Sequence, residues 1–309
     1  MREYTNGHYY SLNQYLRETF GCKVYKLALS GGYTCPNRDG SIAEGGCIFC
    51  SEGGSGDFAA SAGLPVPEQI EQGRLRVRAK IKDGLYIAYF QSFTTTYMPL
   101  CRLSKLIDDA MNCRDVAAVS LGTRPDCLPD DVVDLLARAN ERKPVWVELG
   151  LQTANERTAR YIRRGYELPV YDAAAARLRA HGINTIAHVI LGLPGETADD
   201  MLATVRRVGQ TADGIKLQLL HVLRNTDLAA DYAAGRFETL EMSEYIDIVC
   251  RCIEALPEDV VIHRLTGDGA KRDLIAPLWS GDKKRVLNAL GSELDRRGIR
   301  QGRHHKALR

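Results

Sequence analysis

Six short apolar runs, separated by helical stretches, constrain this chain's fold more than any other feature. They are Val24–Leu29, Leu85–Gln91, Ala117–Leu121, Val145–Leu149, Thr185–Leu191 and Gly214–Leu219. Each is short and largely apolar, the pattern of a strand covered on both faces. Val260–Ile262 is a weaker seventh candidate. Helical patterns fall at Asp130–Ala139, Asn155–Arg163, Val170–His181 and Ala198–Thr211. Gly182 is placed to stop the third helix, and Thr197 to cap the fourth. Arg74–Lys82 reads RLRVRAKIK and alternates like a strand. A crossover helix is needed at that position, so helix is the expectation. Alternation of this kind predicts a parallel sheet, either open or curled toward a barrel.

The 309 residues are 45% hydrophobic and 26% charged, enough apolar material for a packed core. No apolar run approaches the length of a membrane span. Met1–Tyr10 is polar and aromatic, without the basic start and apolar stretch of a secretion signal. These features predict a cytoplasmic protein. A net charge of +2 argues against a nucleic-acid-binding surface spread over the whole molecule. The tail from Arg296 to Arg309 is basic, and reads either as a phosphate contact or as a solvated terminus.

Nine cysteines in such a chain are read as thiols and ligands, not as a disulfide framework. Three stand out in LSGGYTCPNRDGSIAEGGCIFCSEGG, from Leu29 to Gly54. Eleven residues separate Cys35 from Cys47, and two separate Cys47 from Cys50. Gly45, Gly46, Gly53 and Gly54 let the backbone bend around a bulky group. Three thiolates are one short of a closed structural zinc site or of a four-cysteine electron carrier. A zinc site completed by histidine is the alternative, but His8, His181 and His188 are remote in sequence. The other six cysteines show no ligand spacing.

With this cluster the chain resembles the radical S-adenosylmethionine (SAM) superfamily. That family's usual signature is CxxxCxxC with an aromatic residue before the last cysteine, here Phe49. The longer first gap is similar to that of the branch containing the Elongator catalytic subunit. Within it, the sequence resembles the small, acetyltransferase-free YhcC/YtqA type. The matching stretches are Thr34–Gly40, Ala88–Gln91, Gly122–Cys127, Glu148–Thr153, His188–Thr197 and Ala276–Lys284.

The resemblance implies a partial (β/α)6 TIM-like barrel over 22–256, with extensions over 1–21 and 257–309. In the C-terminal extension, Arg264–Gly269 reads as a loop and Trp279–Leu290 as a turn plus helix. The resemblance further implies a [4Fe–4S] cluster on Cys35, Cys47 and Cys50. Its open iron would bind SAM and cleave it reductively to a 5′-deoxyadenosyl radical. An electron donor such as flavodoxin or ferredoxin is then required. Phe49 is expected near the adenine, together with His188 and the turn after it. Glu148 and Gln152 are expected at ribose or methionine groups, and Arg164 at the methionine carboxylate. A Gly-Gly-Glu common in the superfamily is missing, so Gln91 and Thr94 are expected to take its place on the methionine amine. Each has a plainer reading: cap, turn residue, surface charge or core histidine.

The same resemblance points to transfer RNA as partner, with the wobble uridine and its carboxymethylaminomethyl group as the target. Arg74, Arg76, Arg78, Lys80, Lys82, Lys283, Lys284 and Arg285 are candidate phosphate contacts. Tyr4, Tyr9, Tyr10 and Tyr15 are candidate stacking surfaces or packing residues. Lys216 is expected at the barrel mouth as a catalytic group, binding a substrate carboxylate or donating a proton. A small metabolite or protein substrate, and a non-catalytic iron–sulfur or zinc sensor, remain as alternatives.

Overall fold

The computed structural model describes residues 2–54, 56, 59–79, 84–267, 269 and 271–305. Strands β1 (Val24–Leu29) and β6 (Gly214–Leu219) have the expected bounds. Between them, β2 (Leu85–Phe90), β3 (Val116–Thr123), β4 (Val145–Gln152) and β5 (Asn184–Leu191) differ from expectation only at their ends. Then follow β7 (Val222–Leu223), β8 (Val261–Arg264) and β9 (Leu274–Ala276). Seven strands, in the order β1-β2-β3-β4-β5-β6-β8, form one all-parallel sheet curled into a half-barrel. The weak candidate at Val260–Ile262 is thus the seventh barrel strand. The β7–β9 antiparallel pair is an addition too short to leave a sequence pattern.

Helix α1 (Leu12–Phe20) touches both edge strands, β1 and β8, and so closes the lateral gap of the half-barrel. The crossovers are α2 (Val66–Val77), α3 (Leu100–Met111), α4 (Asp130–Asn140), α5 (Glu156–Tyr161), α6 (Leu168–Ala180) and α7 (Ala198–Thr211). After them come α8 (Asp227–Ala233), α9 (Met242–Ala255) and α10 (Lys283–Arg297). No described helix is long and apolar enough to cross a membrane.

Local chemistry sets several ends. Thr197 and Asp200 form a reciprocal capping box at α7, as two orphan N–H groups require. Asn155 caps α5 through its side chain instead of joining the helix. Arg163, at φ 55°, turns the chain just past that helix. Arg74–Val77 lies in α2, and Lys80–Lys82 lie outside the described residues.

Strand alternation divides the side chains into two sets. On β4, Val145, Val147, Leu149 and Leu151 join the core between sheet and helices. Trp146, by contrast, packs inside the barrel with Val24, Ile87, Ala118 and Ile186. One pleat higher, the strands contribute Lys26, Tyr89, Ser120, Glu148, His188 and Lys216. One pleat higher again come Gln91, Gly122, Gly150, Ile190 and Gln218. An apolar plug therefore supports a charged layer, which floors an open polar mouth. Stacked layers of this kind belong to parallel barrels.

Candidate functional site

A cavity of about 230 Å³ opens at the C-terminal ends of the barrel strands. Cys35, Cys47 and Cys50 line it. So do Phe49, Gln91, Thr94 and Gln152. Glu148, Arg164, His188 and Lys216 complete the expected set on the same walls. Residues scattered over 180 positions of sequence thus converge on one space, as βα-loops of a barrel make them do.

The cysteine loop is held by its own side chains. The Arg38 and Asp39 N–H groups donate to the Cys35 carbonyl at 2.8 and 3.2 Å, and the Cys50 N–H donates to the Cys47 carbonyl at 3.0 Å. The Arg38 guanidinium donates to the carbonyls of Cys50, Ser51 and Glu52, clamping the loop across its opening. Gly46 has φ 83°, and a Cβ there would lie 3.2 Å from Arg38 Nε, so both conformation and space require glycine. Asn37 is 1% exposed and donates from Nδ2 to Cys47 Sγ at 3.4 Å and to the Arg163 carbonyl at 2.6 Å. Burial pushes the Cys47 thiol up to about 12, with Cys50 and Cys35 adding to the shift. Binding to iron reverses this, because a metal-bound thiol is deprotonated outright. Among the described residues no His, Cys, Asp and Glu group of three or more could hold a single metal ion. The cysteines of a cubane cluster bind different irons, so their sulfurs need not converge on one point.

Below the cysteines lies the charged layer. The Glu148 side chain has no exposed area. Its Oε1 accepts from Lys26 Nζ at 2.5 Å and Ser120 Oγ at 2.8 Å. Its Oε2 meets His188 Nε2 at 2.6 Å and also accepts from Lys216 Nζ. Lys216 donates as well to the Tyr89 hydroxyl at 3.2 Å and sits over that ring. Burial pushes Glu148 up, but Lys216 and Lys26 outweigh it and hold the carboxyl well below its ordinary range. Burial dominates at the cations. It lowers Lys216 to about 7 against the pull of Glu148, and lowers His188 to about 4. Both lysines are thus less comfortable charged than in water, while the carboxylate stays ionised.

Two of the expected site residues are already engaged with neighbours. Both Glu148 oxygens accept hydrogen bonds within the barrel. Arg164 is 1% exposed. Its guanidinium donates to the carbonyls of Leu151, Thr153 and Tyr166 and to Glu156. It braces the wall through four of its N–H groups. Gln152 is different. It follows a register shift between β4 and β5, at φ 66°, a strained conformation for a non-glycine residue. Its Oε1 is buried with no hydrogen-bond partner among the described residues. Gln91 and Thr94 join the loop after β2 to the cysteine loop's base: Gln91 N–H donates to Leu29 O and Thr94 N–H to Thr34 O.

Sequence reasoning missed Asn37, Arg38, Tyr89 and Arg124. Asn37 and Arg38 adjoin Cys35, and Arg124 lies in the GTRPDC stretch, so their neighbourhood was the available signal. Arg124 is paired with Asp126 at 2.7 Å and donates to the Arg164 carbonyl. The basic and aromatic candidates mostly serve the fold. Tyr4 and Tyr10 are buried, and Tyr9 and Tyr15 pack against the core. Arg296 and Arg297 pair with Glu293, and Arg303 pairs with Glu254. Lys306–Arg309 lie outside the described residues.

A seven-stranded parallel half-barrel with a three-cysteine loop at its mouth defines a class. The family model of the radical SAM superfamily matches residues 32–208, and that of the radical SAM C-terminal domain matches 212–296. The chain belongs to the radical SAM superfamily. It is 46% identical over 305 residues to YtqA of Bacillus subtilis (strain 168), covering 98% of this chain and 95% of that one. It is 36% identical over 286 residues to YhcC of Escherichia coli (strain K12), covering 92% and 91%. In fold it is similar to the archaeal Methanocaldococcus infernus Elp3, with a TM-score of 0.67 at 15% identity, covering 90% of this chain and 64% of that one.

Its cofactors are those of the family, a [4Fe–4S] cluster and SAM. The site fits both. Three thiols on a glycine-turned loop suit a cluster with one open iron. The unsatisfied Gln152 oxygen suits a hydroxyl or amine of the second cofactor.

Proposed function

We propose that this radical SAM enzyme acts on transfer RNA, remodelling a carboxymethylaminomethyl group at the wobble uridine. The cavity's charge carries the reading. Its described lining holds one acid, Glu148, against Arg38, Arg124, Arg164, Lys216 and Arg264; Asp126 and Glu156 pair with Arg124 and Arg164, and the balance is still positive. Such a chamber favours a substrate with a negative group near the reacting carbon, and the carboxylate of that substituent is one. The likeness to the Elongator branch supports RNA as its carrier. Lys283, Lys284 and Arg285 add support, exposed in the first turn of α10 where the helix dipole does not favour cations.

In this reading Cys35, Cys47 and Cys50 hold the cluster, leaving one iron for SAM. The pair of cofactors supplies hydrogen-atom abstraction from an unactivated C–H bond. Phe49 lies against the adenine, and Gln152, Gln91 and Thr94 bind polar groups of SAM. Lys216 receives the substrate carboxylate on its Nζ, beside the Tyr89 hydroxyl. This fixes the neighbouring carbon toward the cysteine loop. With a pKa of about 7, Lys216 is also able to give up a proton near neutrality. Glu148 and His188 hold Lys216 in place. The Trp146 layer below closes the barrel against water. Flavodoxin or ferredoxin supplies the electron, in a cytoplasmic setting.

The test is nucleoside analysis of transfer RNA from a strain lacking the gene, paired with turnover of that RNA by purified, reconstituted enzyme. Accumulation of the unremodelled nucleoside, converted in vitro, is the expected result. An unchanged nucleoside profile rules out the RNA reading and leaves a small-molecule or protein substrate.

A further inference from the structure

We propose that Asn37 sets the reduction potential of the cluster by donating an N–H hydrogen bond to the Cys47 thiolate. This assignment holds whatever the substrate is; it needs only the cluster that the family uses.

The amide has two N–H groups, and both are engaged. One reaches Cys47 Sγ at 3.4 Å and the other the Arg163 carbonyl at 2.6 Å. The 2.6 Å contact to a carbonyl also fixes which end of the amide is nitrogen. Asn37 Oδ1 is buried and has no hydrogen-bond partner among the described residues. An amide kept only for packing would not leave its oxygen unsatisfied, because a hydroxyl or an apolar side chain would avoid that cost. The arrangement makes sense if the N–H on sulfur is what the position requires.

The amide is held firmly. Arg163 sits at φ 55°, which aims its carbonyl at Asn37. On the other side Gly165, at φ 81°, leaves room for Oδ1; a Cβ there would lie 2.6 Å from it. A β-carbon would therefore displace the amide from the thiolate.

The nearest candidate for an electrostatic alternative is Arg124. Its guanidinium is neutralised by Asp126, through Nε at 2.9 Å and Nη2 at 2.7 Å. Arg124 still favours the Cys47 thiolate through space, but of the two only the Asn37 amide touches the sulfur, and its contribution is the one a substitution at 37 removes.

The direction follows from charge. Reduction adds an electron, much of it felt at the sulfurs. A donor aimed at a ligand sulfur stabilises the reduced state more than the oxidised one, and so raises the potential. Asn37 therefore makes the cluster easier to reduce.

The experiment uses the cluster-loaded full chain. Asn37→Leu is purified anaerobically and shown to hold iron and sulfide at wild-type stoichiometry. Its midpoint is read by redox titration followed by electron paramagnetic resonance, and proton couplings are compared in H2O and D2O. The midpoint is expected to move to a more negative value, and one exchangeable proton coupling to disappear. An unchanged midpoint in cluster-replete protein overturns the proposal. So does a shifted midpoint with that coupling retained, because the shift then arises elsewhere. If Asn37→Leu does not retain the cluster, the smaller Asn37→Ala, which also lacks a donor, is measured by the same two readouts and judged by the same outcomes.

Discussion

Replacing Lys216 with methionine should make the protein more stable at neutral pH while abolishing its action on substrate. Lys216 is 5% exposed and its ammonium group is taken into the barrel, where burial lowers its pKa from 10.5 to about 7. At about 1.4 kcal/mol per unit, the charged form carries a penalty of roughly 5 kcal/mol relative to the unfolded chain. Methionine has similar length and no charge, and Glu148 keeps Lys26, Ser120 and His188 as partners. Removing one partner of a buried pair ordinarily costs stability, but Lys26 still compensates Glu148, so a net gain on the order of 1–2 kcal/mol is expected. The pH dependence supplies the sign. Below pH 7 Lys216 is protonated in both states, and wild type bears the whole penalty. Between pH 7 and 10.5 the unfolded chain binds the proton and the fold does not, so wild-type stability rises. Above 10.5 the contribution vanishes. Urea unfolding of both apoproteins, followed by tryptophan fluorescence at several pH values, gives the difference curve. The gain should be largest at pH 6–7 and shrink toward pH 10. A variant less stable than wild type at pH 6.5, or a difference that does not change with pH, refutes the account of the charged layer.

Alanine at Cys35, Cys47 or Cys50 should each yield a protein that cannot retain iron after anaerobic reconstitution, read by metal analysis and visible absorbance. Burial raises the Glu196 carboxyl to about 7, and its Oε2 has no partner among the described residues. The stability it gives is present at low pH and is lost as pH rises from about 4.5 through 7; Glu196→Gln should therefore be about 1–2 kcal/mol more stable than wild type at pH 8 and equal to it near pH 4. Gln152→Gly relieves a positive φ and should add about 1 kcal/mol of stability. It should also weaken SAM binding several-fold in calorimetric titration, and unchanged affinity would remove Gln152 from the cofactor site.

The barrel was legible because its strands are buried on both faces and so read as continuous apolar runs. The β7–β9 pair was not, since two or three residues carry no period. The cysteine loop announced itself by spacing. Its second layer did not: Asn37 and Arg38 act through amide and guanidinium contacts that spacing cannot show. Glu148 was expected at the site from its place at a strand end, and Arg164 from its place at the end of the helix that follows. Both line the cavity, but sequence does not reveal which neighbours their oxygens and N–H groups bond. That depends on register, which places Glu148 opposite Lys26, His188 and Lys216 in one layer. The tyrosines near the N-terminus divide the same way: aromatic rings are visible in sequence, but which surface they cover is not.

A half-barrel has two edge strands, and both are occupied here. Ser11 bridges to Ile262 on β8. On the β1 side, the Ala60 N–H donates to the Ala28 carbonyl, and Gln69 bonds both backbone groups of Ser30. Ala60 ends the stretch of chain that begins at the three cysteines. Without these contacts the Ala28 carbonyl and both backbone groups of Ser30 would stand open at the sheet edge, where unpaired groups invite another strand. A loop and a helix side chain together thus keep the half-barrel from growing by a further strand at β1.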